Sequence, residues 1–418
     1  MIDPIHGKEK NITVKNLEKI IQSTILQAED SNKKFKHWET IGTFDSIFRH
    51  TMGINKELTG LMVGVKDIIS TTDFPTKMGV ESAWIGTTGS FDARCVSKLR
   101  ELGASIVGKQ KCSEFGVHKS TDVVNPRDAA KSAGTSSSGS AVAIAAKDVH
   151  VSIATQTAGS IARPASYCGV IGFKPSYGDI PRTGVLKTTE EFDSVGLFSQ
   201  NVELLEKVYE SLKVDGKNYP LQMMRRANSK KITHFSYLLG DEFDCLSIEE
   251  RNHFKEQVFK IFGKLEYTEV KFHTSIDKIR ESHEIIYKKE LSYFLKAEME
   301  HTSISDELKR FAKEGREIQP SVYLEAKNNI KIWKDIFNNS IRGTIVAHPA
   351  TSSVFVDINQ KELKDANLLV TAAGAPQITL PVLNTLDSIK TGLSLVTNQG
   401  NDLNLLNIAS LIEKSNAI

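Results

Sequence analysis

Leu17, Ile20, Ile21, Thr24, Ile25 and Ala28 recur at three- and four-residue steps through NLEKIIQSTILQA, the spacing of an amphipathic helix. LMVGVKDII is apolar on both faces, with Met62 and Ile68 on the side of Lys66 and Val63 and Val65 on the other, as in a strand covered on both sides. DARCVSKLRELG reads as a helix with Asp92 as its N-cap and Gly103 as its stop, and ASIVGK as a second strand. This β-α-β order predicts parallel pairing. SGSAVAIAA and NVELLEKVYESLK read as helices on either side of a strand, VHVSIATQ. Ala326, Ile330, Trp333, Phe337 and Ile341 mark one face of a later helix packed on the sheet. PQITLPV and TGLSLVT read as strands returning to the sheet, and LNLLNIASLIEK as a closing helix. The pattern predicts an α/β fold with a central mixed, mostly parallel β-sheet sandwiched between α-helices.

Glycine divides the 418 residues unevenly, with 16 between positions 60 and 200 and 4 between 201 and 342. Tight turns and close backbone approaches are therefore expected in the first stretch and long helices in the second. We expect one domain over 1–418, with a core at 58–200, a variable helical region on the substrate side at 205–345, and a return to the sheet over 346–418. Lys and Arg number 53 against 51 Asp and Glu, a net charge of +2 without like-charged blocks, so neither nucleic acid nor a membrane surface is the expected partner. Cys95, Cys112, Cys168 and Cys245 are far apart and lack metal-ligand spacing, which fits a reduced, cytoplasmic setting. The N-terminus has no apolar signal core, and the longest apolar run, AVAIAA, is too short to span a bilayer.

Three stretches carry candidate chemistry. GTSSSGS, Gly134 to Ser140, has the glycine frame of a phosphate loop, but Ser140 and Ala141 stand where that loop needs Lys and Ser or Thr. Its serines Ser136, Ser137 and Ser138 instead sit where a loop enters a helix. In ATQTAGSIARP a strand runs into Ala158, Gly159 and Ser160, residues small enough for successive N–H groups to converge as an oxyanion hole requires. Lys66 lies within an apolar strand, where burial lowers its pKa; half-neutrality near pH 7 costs roughly 4 to 5 kcal/mol. Such a lysine is a candidate base for a serine, a role not confined to histidine.

With these residues in view, the chain strongly resembles the amidase signature family of serine hydrolases. GTSSSGSAVAIA, ATQTAGSIARPASYCGVIGFKPSYG and the preceding GVKD strand carry the likeness, which extends through FDARCVSKLRELGASIVGKQKCSEFG. It is dense from about 58 to 200 and thin from about 205 to 345. The resemblance implies cleavage of a carboxylic amide to an acid plus ammonia or amine, through an acyl-enzyme on Ser160. It further implies Ser136, on a cis peptide bond, as proton bridge, Lys66 as base, and the amides of Thr157, Ala158 and Gly159, with that of Ser160, as oxyanion hole. Many family members have Asp where Gln156 stands and Gly where Ala158 stands. No metal or organic cofactor is implied, and the expected partner is a small-molecule amide. A homo-oligomer is compatible with the sequence.

The same core also serves the A-type component of glutamine-dependent transfer-RNA amidotransferases, and an inactive binding protein on this scaffold is a further alternative. SIDK, Ser275 to Lys278, matches the S-x-x-K of penicillin-recognising enzymes without partner motifs; a serine triad through His118 or His150 is a weaker option. Met78, Trp84 and Phe115 are candidates for one wall of the acyl pocket, as well as for ordinary core.

Overall fold

The computed structural model describes residues 12–51, 55–80, 91–117, 121–214, 234–240, 246–263, 267–272, 274–352, 356–357 and 366–416. The strands are β1 (Trp38–Ile41), β2 (Met62–Lys66), β3 (Ser105–Gln110), β4 (Val151–Gln156), β5 (Ile171–Lys174), β6 (Ser194–Ser199), β7 (His234–Tyr237), β8 (Tyr267–Glu269), β9 (Thr344–Pro349), β10 (Gln377–Asn384) and β11 (Lys390–Val396). The first helices are α1 (Val14–Phe35), α2 (Phe44–Arg49), α3 (Arg94–Glu101), α4 (Ser138–Ala145), α5 (Ala162–Cys168) and α6 (Val202–Leu212). They are followed by α7 (Ile248–Phe262), α8 (Ile276–Phe294), α9 (Asp306–Glu317), α10 (Pro320–Ser340), α11 (Asn367–Ala372) and α12 (Asp402–Asn416).

One sheet joins these strands in the order β1-β3-β2-β4-β6-β5-β10-β11-β9-β7-β8. The expected β-α-β unit is present, since β2 runs parallel to both β3 and β4. The sheet as a whole is nevertheless mostly antiparallel, which corrects the expectation of a mostly parallel one. Strand β6 runs back between β4 and β5, β10 pairs antiparallel with β5 and β11, and β11 does so with β9. Burial on both faces makes a strand read as a continuous apolar run whichever way it points. Every residue of β4 and β6 is buried, so their apolar character carried no sign of direction.

The core-facing stripe of α10 is as expected, with Ala326, Ile330, Trp333 and Phe337 buried, and Trp333 Nε1 donates to the Leu369 carbonyl. The glycine-poor stretch contains the long helices α8, α9 and α10, and it also supplies β7 and β8 at the sheet edge. Asp92 is not the cap of α3; Ala93 holds that position without a side-chain bond. The Asp92 carboxylate turns away to accept from the Thr72 amide and to pair with Arg100. SIDK also has a local explanation, because the Ser275 hydroxyl caps α8 by accepting from the Lys278 N–H.

Candidate active site

The serine loop lies directly on the helix that follows the second small-residue turn. Gly134 has φ +87°, and a Cβ there would stand 2.6 Å from Pro164 Cα, so only glycine allows this approach to α5. The Thr135–Ser136 peptide bond is cis, and α4 begins two residues later at Ser138. The Ser137 hydroxyl donates to the Thr155 carbonyl, tying the loop to β4.

Lys66, the last residue of β2, is fully buried and points at this loop. Its Nζ lies 2.7 Å from Ser136 Oγ and 3.0 Å from Thr155 Oγ1. Desolvation lowers its pKa from 10.5 to about 8, opposed by the nearby Cys112 and Asp193. That drop stops short of half-neutrality at pH 7, because Cys112 and Asp193 oppose it.

Ser160 is half-buried in the turn between β4 and α5. Gln156, the last residue of β4, steadies this turn: its Oε1 accepts from the amides of Ile161 at 2.8 Å and Ala162 at 3.1 Å. Its Nε2 donates to Thr371 Oγ1 at 3.0 Å and Gln377 Oε1 at 3.3 Å. A carboxylate at this position would offer only acceptors, whereas the amide supplies the donor that the neighbouring Thr371 and Gln377 receive. On the other side Thr157 Oγ1 donates to Asp193 Oδ1 at 2.7 Å. Asp193 is itself held by the amides and hydroxyls of Thr188 and Thr189. Among the described residues, no partner takes the backbone N–H of Thr157, Ala158, Gly159 or Ser160.

A cleft opens beside these groups, about 280 Å³ counting the space open to solvent. Ile68, Phe115, Val185, Leu186 and Val195 are its apolar lining, and Thr155, Thr157, Asp193 and Arg182 are among its polar lining. Phe115 lines the cleft and is also fully buried in a small apolar cluster with Val80 and Leu291. Met78 does not line the cleft; it packs half-buried against the core. Trp84 and His118 lie outside the described residues. His150 accepts from the Met62 amide at the start of β2, the opposite end from Lys66, so it forms no triad here. Thr155, Asp193 and Arg182 were not singled out from the sequence. Thr155 had a signal, being a polar residue inside a buried strand; Asp193 and Arg182 reach the cleft only through the fold.

The fold defines the class: an α/β protein built like known amidases. A crystal structure titled simply as an amidase superposes with a TM-score of 0.82 at 20% identity, covering 96% of each chain. The structure of 6-aminohexanoate cyclic dimer hydrolase with its substrate gives 0.82 at 16% identity over 96% of this chain and 94% of that one. At sequence level, residues 48–320 match the model of the Amidase family, and the chain belongs to that family. A curated relative, the A-type component of the chloroplastic/mitochondrial glutamyl-tRNA(Gln) amidotransferase of Oryza sativa subsp. indica, is 40% identical over 151 residues, 35% of this chain and 28% of the relative. The match thus spans less than a third of that relative's length. Among the described residues, no helix is long and apolar enough to cross a membrane.

Proposed function

We propose that this chain hydrolyses a carboxylic amide, with Ser160 as nucleophile, Ser136 as proton bridge and Lys66 as base. The observation that carries the reading is the 2.7 Å contact between Lys66 Nζ and Ser136 Oγ, made by a fully buried lysine whose neutral form burial favours. Neutral Lys66 takes the Ser136 proton as Ser136 takes that of Ser160, and Ser160 Oγ bonds to the amide carbonyl carbon. The oxyanion is received by the unengaged N–H groups of Thr157, Ala158, Gly159 and Ser160. The relay then protonates the amine, the C–N bond breaks, and water attacks the ester under the same base to release the acid. Linear amides are the favoured substrates, with the acyl group against Ile68, Phe115 and Leu186.

The test is ammonia or amine release from aliphatic, aromatic, amino-acid and cyclic amides, with intact-mass detection of a Ser160 adduct after a serine-directed reagent. Turnover and adduct in the parent, both lost in Ser160→Ala, are expected. Turnover that survives Ser160→Ala would overturn the assignment. A second reading, the A-type component of an amidotransferase, is favoured by the names of the curated relatives. It predicts silence on free amides and activity only once a copurifying partner is restored.

A further inference from the structure

The turn that carries Ser160 is held from outside the signature stretch. His283 on α8 has its Nε2 3.0 Å from the Thr157 carbonyl oxygen, and Thr371 on α11 donates its Oγ1 hydrogen to the Ala158 carbonyl at 2.7 Å. A carbonyl oxygen has no hydrogen to give, so Nε2 is the protonated nitrogen in this contact. The imidazole is itself fixed, buried and stacked on Phe192 with ring centroids 4.3 Å apart and planes 20° from parallel. Phe192 precedes Asp193, which accepts from the Thr157 hydroxyl, so Thr157 is gripped at both its side chain and its carbonyl.

In a planar trans peptide the C=O of one residue and the N–H of the next point in opposite directions. Fixing the Thr157 carbonyl therefore aims the Ala158 N–H away from His283, and fixing the Ala158 carbonyl aims the Gly159 N–H away from Thr371. These are two of the four N–H groups that no described residue engages.

We infer that His283 and Thr371 are positioning residues that set the two central peptide planes of the oxyanion hole. The inference rests on the hydrolase reading above and deepens it. Preorganised donors act mainly on developing charge, so loosening their planes lowers kcat more than it raises KM. Both residues lie outside the dense signature, His283 in the variable region and Thr371 in the return to the sheet, so the geometry of the turn depends on segments far from it in sequence.

The experiment compares His283→Phe, which keeps the ring on Phe192 but removes the donor, with His283→Gln, whose side-chain amide restores a donor at similar reach. Thr371→Val and Thr371→Ser form the matching pair. Each is followed by kcat and KM on the best amide and by hydrogen exchange of the Ile161 and Ala162 amides, which the same turn presents to Gln156 Oε1. The expected result is a fall in kcat of about ten- to a hundredfold for His283→Phe and Thr371→Val, below the full loss of an oxyanion donor. KM stays within about threefold, exchange at Ile161 and Ala162 speeds up, and the Gln and Ser variants recover most of both. Parent-like kcat and exchange in folded His283→Phe would overturn the clamp, as would equal loss in the Phe and Gln variants. Failure of the hydrolase reading shows separately, as a parent without turnover or Ser160 adduct, before any variant is compared.

Discussion

Lys66 allows the proposed mechanism to be tested by pH and by stability at once. Its pKa is lowered from 10.5 to about 8 by burial. At pH 7 roughly a tenth of such lysines is neutral, against about 0.03% of ordinary ones, so burial multiplies the competent base about 300-fold. With neutral Lys66 as base, kcat/KM rises about tenfold from pH 7 to pH 9 and levels off above. The same shift makes a stability statement. Below pH 8 the lysine is protonated folded and unfolded, and the fold bears the whole cost of the buried charge, about 3 kcal/mol. Between about pH 8 and 10.5 the unfolded chain holds a proton that the folded chain has lost, so stability rises with pH and the cost disappears. Lys66→Met removes the charge while nearly keeping the volume, but leaves the Ser136 and Thr155 hydroxyls short of one partner each, offsetting about 1 kcal/mol apiece. The variant should therefore be inactive, at least as stable as the parent at pH 7, and should lose that advantage by pH 10. Denaturant unfolding of both proteins at pH 7, 8.5 and 10, beside the pH–rate profile, reads both effects. A flat rate from pH 7 to 9, or a stability gap that does not change with pH, would refute a buried, depressed lysine as the base.

Thr155→Val takes away the second acceptor of Lys66 Nζ, so the ammonium is less well accommodated and the rate midpoint should move to lower pH while the plateau falls about tenfold; a midpoint moving upward would count against the contact. Gly159→Ala places a Cβ 2.6 Å from Arg163 Nη2, a buried guanidinium with little room to yield, so the turn must move. Differential unfolding should show a loss of about 1 to 3 kcal/mol, and the rate should fall about a hundredfold or more, with a near-parent kcat contradicting the role given to this turn.

Local chemistry made most of the proposed reacting centre legible in the sequence. The proposed oxyanion turn required small residues next to each other in the chain, and a lysine closing the apolar strand LMVGVK stood out because its burial costs energy. What remained hidden was whatever the fold brings from a distance. Asp193 sits 33 residues beyond Ser160, by their numbering, in a segment, EEFDSVG, that reads as a polar loop. Its carboxylate becomes a buried anchor only because β6 runs back alongside β4 and sets Ser194 opposite Gln156. The expectation of a mostly parallel sheet failed for the same reason, since strand direction leaves no mark on a strand buried on both faces.

Gln156 shows how a departure from the familiar pattern is absorbed. Read alone, an amide in place of a carboxylate removes a negative charge beside Ser160, the proposed nucleophile. In the fold, its oxygen still receives the amides of Ile161 and Ala162, the bonds a carboxylate would also accept, so the start of α5 stays fixed. Its nitrogen reaches Gln377 Oε1 on β10, and Gln377 Nε2 goes on to Ser394 Oγ on β11. Thr371 receives the same Gln156 nitrogen and passes its own hydrogen to the Ala158 carbonyl. Each donor in this buried chain has an acceptor, which is the condition under which buried polar groups rigidify rather than destabilise. A carboxylate placed here would leave Thr371 and Gln377 without that donor and set a second negative charge near Asp193. The glutamine is thus matched to residues more than 200 positions away, and the turn that presents Ser160 belongs as much to β10 and α11 as to the signature that announces it.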